Sequence, residues 1–126
     1  MGVKLLKKLS SLLFYMHNIP YMSHFFDSCI SLEHISYFDP YLVEDMSFVF
    51  NNCQSLVYIG YKTCGVPHVK NMDHMFYKCQ SLNDISLTNY DTKNVENMNS
   101  LFAYCTSLTT INFGSNFDTS KVTNMY

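Results

Sequence analysis

The sequence has no tryptophan and no arginine, and only four glycines and three prolines among its 126 residues. Its eight basic residues are all lysines, against ten acidic residues, so the net charge is -2. This balance excludes a strongly basic surface that tracks phosphates, because such surfaces carry a basic excess and use arginine forks. The few glycines form no glycine-rich phosphate loop. Since 48% of the residues are hydrophobic and only 14% are charged, we expect a packed domain that does not bind nucleic acid.

No apolar run in the sequence is long enough to span a membrane. Ser10 and Ser11 interrupt the apolar segment near the N-terminus, so we identify no secretory signal peptide. The leucines of this segment repeat at helical spacing with lysines between them, which predicts an amphipathic helix over 1–17. We expect this helix to cap the first repeat, and the alternative is a helix that lies on a membrane surface.

Residues for catalysis or metal binding are scarce as well. The five cysteines form no Cys-x-x-Cys pair, which a tetrahedral zinc site normally needs. Of the five histidines only His24 and His74 share a repeat position, and two repeats separate them. No serine stands in a nucleophile-elbow motif. We therefore expect no enzyme activity, no cofactor and no metal.

A repeat of roughly 26 residues dominates the sequence. The segment Met98-Asn-Ser-Leu-Phe-Ala-Tyr-Cys-Thr-Ser-Leu108 matches the segments that begin at Met22, Met46 and Met72. We assign four repeats, called repeats one to four, to residues 18–41, 42–67, 68–93 and 94–121, and the start of a fifth to 122–126. One cysteine recurs in each repeat at an inward position, and free cysteine packs as a small hydrophobe. We expect a structural ladder of reduced thiols in the core, formed by Cys29, Cys53, Cys79 and Cys105.

The apolar spacing changes within each repeat. Met98, Phe102 and Cys105 follow a helical spacing, which predicts a two-turn helix with an Asn or Asp N-cap before it. An isoleucine then alternates with an apolar residue two positions later, which predicts a short strand. Those inward partners are Tyr37, Tyr61, Leu87 and Phe113. The predicted fold is an α/β, leucine-rich-repeat-like solenoid, with one short helix and one short parallel strand per coil of about 24 to 27 residues.

The repeat also resembles a known family. Asn116-Phe-Asp-Thr-Ser-Lys-Val-Thr-Asn-Met125 and Tyr90-Asp-Thr-Lys-Asn-Val-Glu-Asn-Met98, with the Met-x-x-hydrophobic-Phe-x-x-Cys-x-Ser-Leu block, are similar to the bacterial surface protein 26-residue repeat. That family is related to BspA-like leucine-rich-repeat surface proteins and to repeats in mycoplasma lipoproteins. The resemblance covers roughly 18–126 and implies a cell-surface or secreted protein, often adhesive. The first two repeats depart from the pattern because they lack the Asp-Thr-Ser turn, and we find no lipobox cysteine near the start.

The residues that differ between equivalent repeat positions are the candidates for a binding surface. On the strand face we predict a ligand-binding surface that consists of Glu33, His34, Tyr58, Asn83, Asp84, Thr110 and Asn112. The alternative is the outer helical face, where Phe48, Tyr77 and Tyr104 are expected to be exposed.

The function we expect is a non-catalytic, protein-binding or adhesive module that presents one face to a protein or cell-surface ligand. The alternative is an intracellular, cytoplasmic scaffold or a non-functional repeat fragment. A C-terminal coil without a cap would also permit end-to-end association.

Overall fold

The computed structural model describes residues 8–9, 18–61 and 65–126. Five short strands run parallel within two small sheets. In the first sheet the order is β1-β2-β3, and in the second β4 pairs with β5. Equivalent positions of successive repeats lie opposite one another in both sheets. The strands are β1 (Lys8–Leu9), β2 (His34–Phe38), β3 (Tyr58–Tyr61), β4 (Asp84–Ser86) and β5 (Thr110–Asn112).

The predicted helix in each repeat is wrong, and with it the α/β leucine-rich-repeat-like solenoid. The described residues contain no α-helix, and the segments expected to be helical form successive turns. In repeat one the amides of Phe25, Asp27 and Cys29 donate to carbonyl oxygens three residues earlier, at 2.9 to 3.2 Å. The amides of His24, Phe26 and Ser28 donate instead to carbonyl oxygens of repeat two, at 2.8 to 3.0 Å. Since every second amide is bonded to the neighbouring repeat, no helical ladder forms.

These turns need backbone conformations that are unusual for L-residues. Two positions in each repeat adopt the left-handed region, which costs roughly 1 to 2 kcal/mol for most residues other than glycine. The hydrogen bonds to the next repeat and the buried apolar side chains offset this cost, whereas an isolated helix of eight residues is only marginally stable in water. The residues in the left-handed region have φ between 52° and 60°, and they are His24, Ser28, Phe48, Asn52, His74, Lys78, Ser100 and Tyr104.

The residues predicted as helix N-caps open the turns instead. The side chains of Asp45, Asn71 and Asn97 each accept the backbone amide two residues later, at 2.9 to 3.0 Å. This is the Asx turn that short side-chain acceptors favour. The same three residues pair in parallel from repeat to repeat, which keeps the start of every turn segment in register.

The core lies between the turn side and the strand side of the stacked repeats, and equivalent apolar side chains form continuous columns through it. The rings of Phe26, Phe50, Phe76 and Phe102 stack face to face with centroids 5.5 to 5.6 Å apart. Such offset stacks add to the free energy gained from burial alone. The methionine and leucine columns are buried beside them in repeats one to three, and so are the isoleucines of repeats one and three. These residues are Met22, Leu32, Ile35, Met46, Leu56, Met72, Leu82 and Ile85, whereas Ile59 of repeat two is only partly buried.

The strand side is less regular than the turn side. No strand pairing joins β3 to β4 among the described residues, so the strands split into two sheets between repeats two and three. A bulge also interrupts the pairing of β2 with β3 between Ile35 and Phe38. Because of this bulge Phe38 faces the core and Tyr37 faces solvent, so the prediction that Tyr37 points inward is wrong. Phe113, predicted inward in repeat four, is also exposed.

Of the predicted capping helix over 1–17, only Lys8–Leu9 belong to the described residues. They form β1, which pairs with β2, rather than part of a helix. The remainder of that prediction lies outside the described residues.

Candidate functional site

The predicted ligand-binding residues occupy equivalent register positions on the strand side. His34 and Tyr58 are direct partners in β2 and β3, with ring centroids 6.4 Å apart. Asp84 and Thr110 are direct partners in β4 and β5. The split between β3 and β4 separates the two pairs, so the seven predicted residues do not share one continuous ladder.

The other predicted residues take part in the backbone of the stack. The carbonyl oxygen of Glu33 accepts the amides of Val57 and Tyr58 at 2.9 and 3.3 Å. The carbonyl oxygen of Asn83 accepts both the amide and the hydroxyl of Thr109, at 2.8 and 3.1 Å. Each of these residues therefore anchors the repeat that follows it.

Asn112, the last of the seven, closes a local turn. Its Oδ1 accepts the amide of Gly114 at 3.2 Å. Gly114 has a φ of 72°, a conformation that glycine adopts without the steric cost of a side chain. The side chain of Asn112 therefore serves the turn after β5.

A cavity of about 150 Å³ opens where the two sheets separate. We call it the split cavity. Its walls come from both sheets, with Tyr58 and Ile59 on one side and Asp84 and Ile85 on the other. The split therefore brings Tyr58 and Asp84, two of the predicted binding residues, to one concave surface.

A second concavity, of about 230 Å³, is also lined by Tyr58. We call it the tyrosine cleft, and it is lined by Ser36, Tyr37, Tyr58, Gly60 and Tyr61. The side chains of Tyr37 and Tyr58 are 57% and 55% exposed, so two large aromatic rings flank it at the surface.

Tyr37 is the main residue that the sequence analysis missed as a candidate binding residue. Consecutive residues of a strand point to opposite faces, so Tyr37 and Phe38 could not both have faced the core. The adjacent pair of aromatics was the signal in the sequence that one of them lies outside.

The alternative face, on the turn side, offers less exposed aromatic surface than expected. The ring of Phe48 lies between those of His24 and His74, stacked on both at centroid distances of 4.5 and 4.8 Å. Tyr77 and Tyr104 contact each other edge to face at 5.3 Å. These rings cover one another, although Tyr104 remains 63% exposed.

Asp27 links two repeats on this turn side. Its carboxylate accepts hydrogen bonds from His24 at 2.7 Å, from Ser28 at 3.1 Å and, across the repeat boundary, from Asn51 at 2.8 Å. Burial alone would raise the pKa of Asp27, but these three hydrogen bonds outweigh it and hold the pKa below its ordinary value.

The cysteine ladder belongs to the core. In repeats two to four the cysteine thiol donates to the carbonyl oxygen of the phenylalanine one repeat earlier, at 3.0 to 3.2 Å. The pairs are Cys53 with Phe26, Cys79 with Phe50 and Cys105 with Phe76. Burial raises the pKa of all three thiols, so they are held in the neutral form, which is a poor nucleophile and a poor metal ligand. No disulfide joins the described cysteines to one another.

Within the described ranges, no three His, Cys, Asp or Glu side chains converge as a metal site would require. In the same part of the chain no helix has the length and apolar character needed to cross a membrane.

An apolar cavity of about 540 Å³ lies at the last repeat. Its walls include positions that the following repeat covers in repeats one to three, namely Met98, Leu101 and Phe102.

These structural repeats have a counterpart among known sequences. Residues 20–126 match a family model described as "Mycoplasma protein of unknown function, DUF285". The chain belongs to this family. The match confirms the resemblance to Mycoplasma repeat proteins but does not extend to BspA-like leucine-rich repeats. No curated protein and no solved structure matches the chain.

Proposed function

We propose that the chain is a non-catalytic binding module and that the strand side of its repeats is the binding face. The observation that carries this proposal is the position of Tyr58, an exposed aromatic that lines both the tyrosine cleft and the split cavity. Tyrosine is enriched at binding interfaces because it combines a large apolar ring with a hydroxyl and loses little conformational entropy on binding.

The polar residues beside Tyr58 suit recognition of a protein or cell-surface ligand. His34 lies next to it in the register, and Asp84 faces it across the split cavity. The buried columns repeat almost unchanged, whereas this face changes from repeat to repeat. In repeat proteins a surface of this kind is free to vary for ligand specificity while the core maintains the fold.

The location we propose is the cell surface, with an adhesive role. The similarity of the turn and core motifs to BspA-like surface repeats supports this assignment, as does membership of a Mycoplasma repeat family. Antibody labelling of intact cells that produce the full protein tests it. Labelling only after permeabilisation would contradict a surface location.

Binding of the purified chain to cultured host cells and to immobilised collagen, laminin and fibronectin tests the binding face. We expect Tyr58→Ser to weaken binding about tenfold or more, equivalent to about 1.4 kcal/mol, and Asp84→Ala to weaken it less. Tyr104→Ser is the matched control, because it removes an equally exposed tyrosine from the turn side. Equal loss of binding in Tyr104→Ser and Tyr58→Ser, or no loss in Tyr58→Ser, would contradict the strand side as the binding face.

A further inference from the structure

The tyrosine cleft depends on a strained backbone at Tyr37. This residue has a φ of 60°, in the left-handed region that bulky side chains rarely adopt. Among the described residues it is the one non-glycine residue in this region that lies outside the turn segments, and it sits in the bulge between Ile35 and Phe38. Bulges redirect side chains, and strain of this kind concentrates at ligand-binding positions. Here the bulge turns a tyrosine out of the core and into the wall of the cleft.

Gly60 also lines the tyrosine cleft. It lies two residues after Tyr58, and a methyl group placed on it would come within 3.1 Å of both Cε1 and Oη of the Tyr58 ring. The ring therefore lies over Gly60 because no side chain is present there. At the equivalent register positions the other repeats have Ser36, Ser86 and Asn112. Among the described repeats, repeat two alone has a glycine at this position.

The cleft offers aromatic surface together with hydroxyl groups. Ser36 and Tyr58 contribute hydroxyls, each of which can both donate and accept a hydrogen bond. No lysine, aspartate or glutamate is among the described residues that line it. Its volume of about 230 Å³ is below the range of about 300 to 1,000 Å³ typical of pockets for drug-sized ligands, so it fits one ring.

We propose that the tyrosine cleft binds one neutral pyranose ring of a glycan. The C–H bonds on one face of a pyranose carry partial positive charge and pack against the electron-rich face of a tyrosine, while the hydroxyls of the sugar pair with those of Ser36 and Tyr58. An anionic sugar is disfavoured because the lining residues offer no cation. The inference rests on the proposed function and specifies the ligand class at one part of that face.

A proline-rich peptide is the competing ligand for an aromatic surface. Such peptides lie along extended grooves with several aromatic residues, because their left-handed helix is extended, with a rise of about 3.1 Å per residue. The tyrosine cleft is confined to β2 and β3, and its lining includes the hydroxyl group of Ser36 together with its two exposed rings. These properties favour a single sugar ring over an extended peptide.

Saturation-transfer NMR on the whole chain tests the proposal. The probes are the methyl glycosides of glucose, galactose, mannose and N-acetylglucosamine, with a six-residue polyproline peptide measured in parallel. We expect at least one glycoside to bind with a Kd of about 1 mM and to receive saturation on its ring C–H protons. Gly60→Ala should weaken that binding about threefold, because the added methyl narrows the cleft and forces the Tyr58 ring to shift by a few tenths of an ångström. Ser86→Ala is the matched control, since it places alanine at the same register position of repeat three.

Two sets of results would overturn the inference. One is the absence of saturation on all four glycosides with the folded chain, and the other is equal binding by the chain with and without Gly60→Ala. If the polyproline peptide binds instead and loses affinity in Gly60→Ala, the cleft is a peptide site. The proposed function is judged separately. Binding to cells or matrix proteins that depends on Tyr58 but not on Gly60 supports the binding face and rejects the sugar site.

Discussion

The turn side and the strand side of the repeats solve the same stacking problem differently. On the turn side every repeat is joined to the next by regularly spaced backbone hydrogen bonds, from Met22 through Tyr126. On the strand side the pairing is interrupted by a bulge at Tyr37 and by the split between β3 and β4. From this difference we expect the turn side and core to supply most of the stability, which leaves the strand side free to form concave surfaces. Variants that separate the two contributions test this comparison.

The largest effect is expected in the phenylalanine column. Phe50 is fully buried and stacks on Phe26 and Phe76, so Phe50→Ala removes its burial and leaves a cavity. We expect the free energy of unfolding in urea to fall by about 3 to 5 kcal/mol. Tyr58→Ser on the strand side should change it by less than about 1 kcal/mol. Similar losses from the two variants would show that stability is not concentrated in the core columns.

The next effect concerns a contact that bridges the split. The hydroxyls of Tyr61 and Tyr90 are 2.9 Å apart and burial raises the pKa of both, so the two phenols stay protonated and bonded to each other. Tyr90→Phe leaves the Tyr61 hydroxyl without this partner, which should cost about 1 to 3 kcal/mol of unfolding free energy.

The double variant Tyr61→Phe with Tyr90→Phe is the control for this pair. It removes both hydroxyls and keeps the rings, which contact edge to face at 5.5 Å, so it should be more stable than Tyr90→Phe alone. Denaturant unfolding of the natural sequence, Tyr61→Phe, Tyr90→Phe and the double variant provides a double-mutant cycle. A purely additive cycle would mean that the hydroxyl pair does not stabilise the junction between repeats two and three.

The sequence contained enough information to predict the repeat columns but not their backbone. The methionine, phenylalanine and cysteine positions predicted to face inward are buried in repeats one to three. The spacing of Met22, Phe26 and Cys29 fits one face of a helix, and it fits a series of tight turns equally well. The choice between them depends on whether alternate amides pair within the repeat or with the next repeat. That is a non-local property, and apolar periodicity does not report it.

The candidate site was predictable only in part for a similar reason. Tyr58 and His34 were identified because they vary on a strand whose register follows from the repeat. The tyrosine cleft arises from the bulge at Tyr37 and from the ring of Tyr58 lying over Gly60, and both depend on exact backbone geometry. The split between β3 and β4 has no counterpart in the repeat spacing, because repeats two and three are both 26 residues long.

A smaller, stabilising effect is expected from relieving strain on the turn side. Ser100 has a φ of 52°, and asparagine adopts this region more readily than serine. Ser100→Asn should therefore raise the free energy of unfolding by about 0.5 to 1 kcal/mol. Ser107→Asn is the matched control, because Ser107 does not have a positive φ. A gain in both variants, or in neither, would argue against backbone strain as the cause.

The smallest effect is the pH dependence that Asp27 gives to the turn side. Because its pKa is lower in the folded chain than in the unfolded chain, the unfolded state binds more protons as the pH falls. The contribution of Asp27 is therefore complete above the ordinary carboxyl pKa of about 4 and is lost as the pH drops through the lower folded value. Since the group is partly solvated, we expect its contribution to the free energy of unfolding to be less than about 1 kcal/mol.

Thermal unfolding from pH 7 to pH 2.5 should show a shallower decline in Tm for Asp27→Asn than for the natural sequence. Asn51→Ala, which removes the donor from repeat two, should give an intermediate slope. Parallel profiles for all three proteins would show that the carboxylate does not couple repeats one and two.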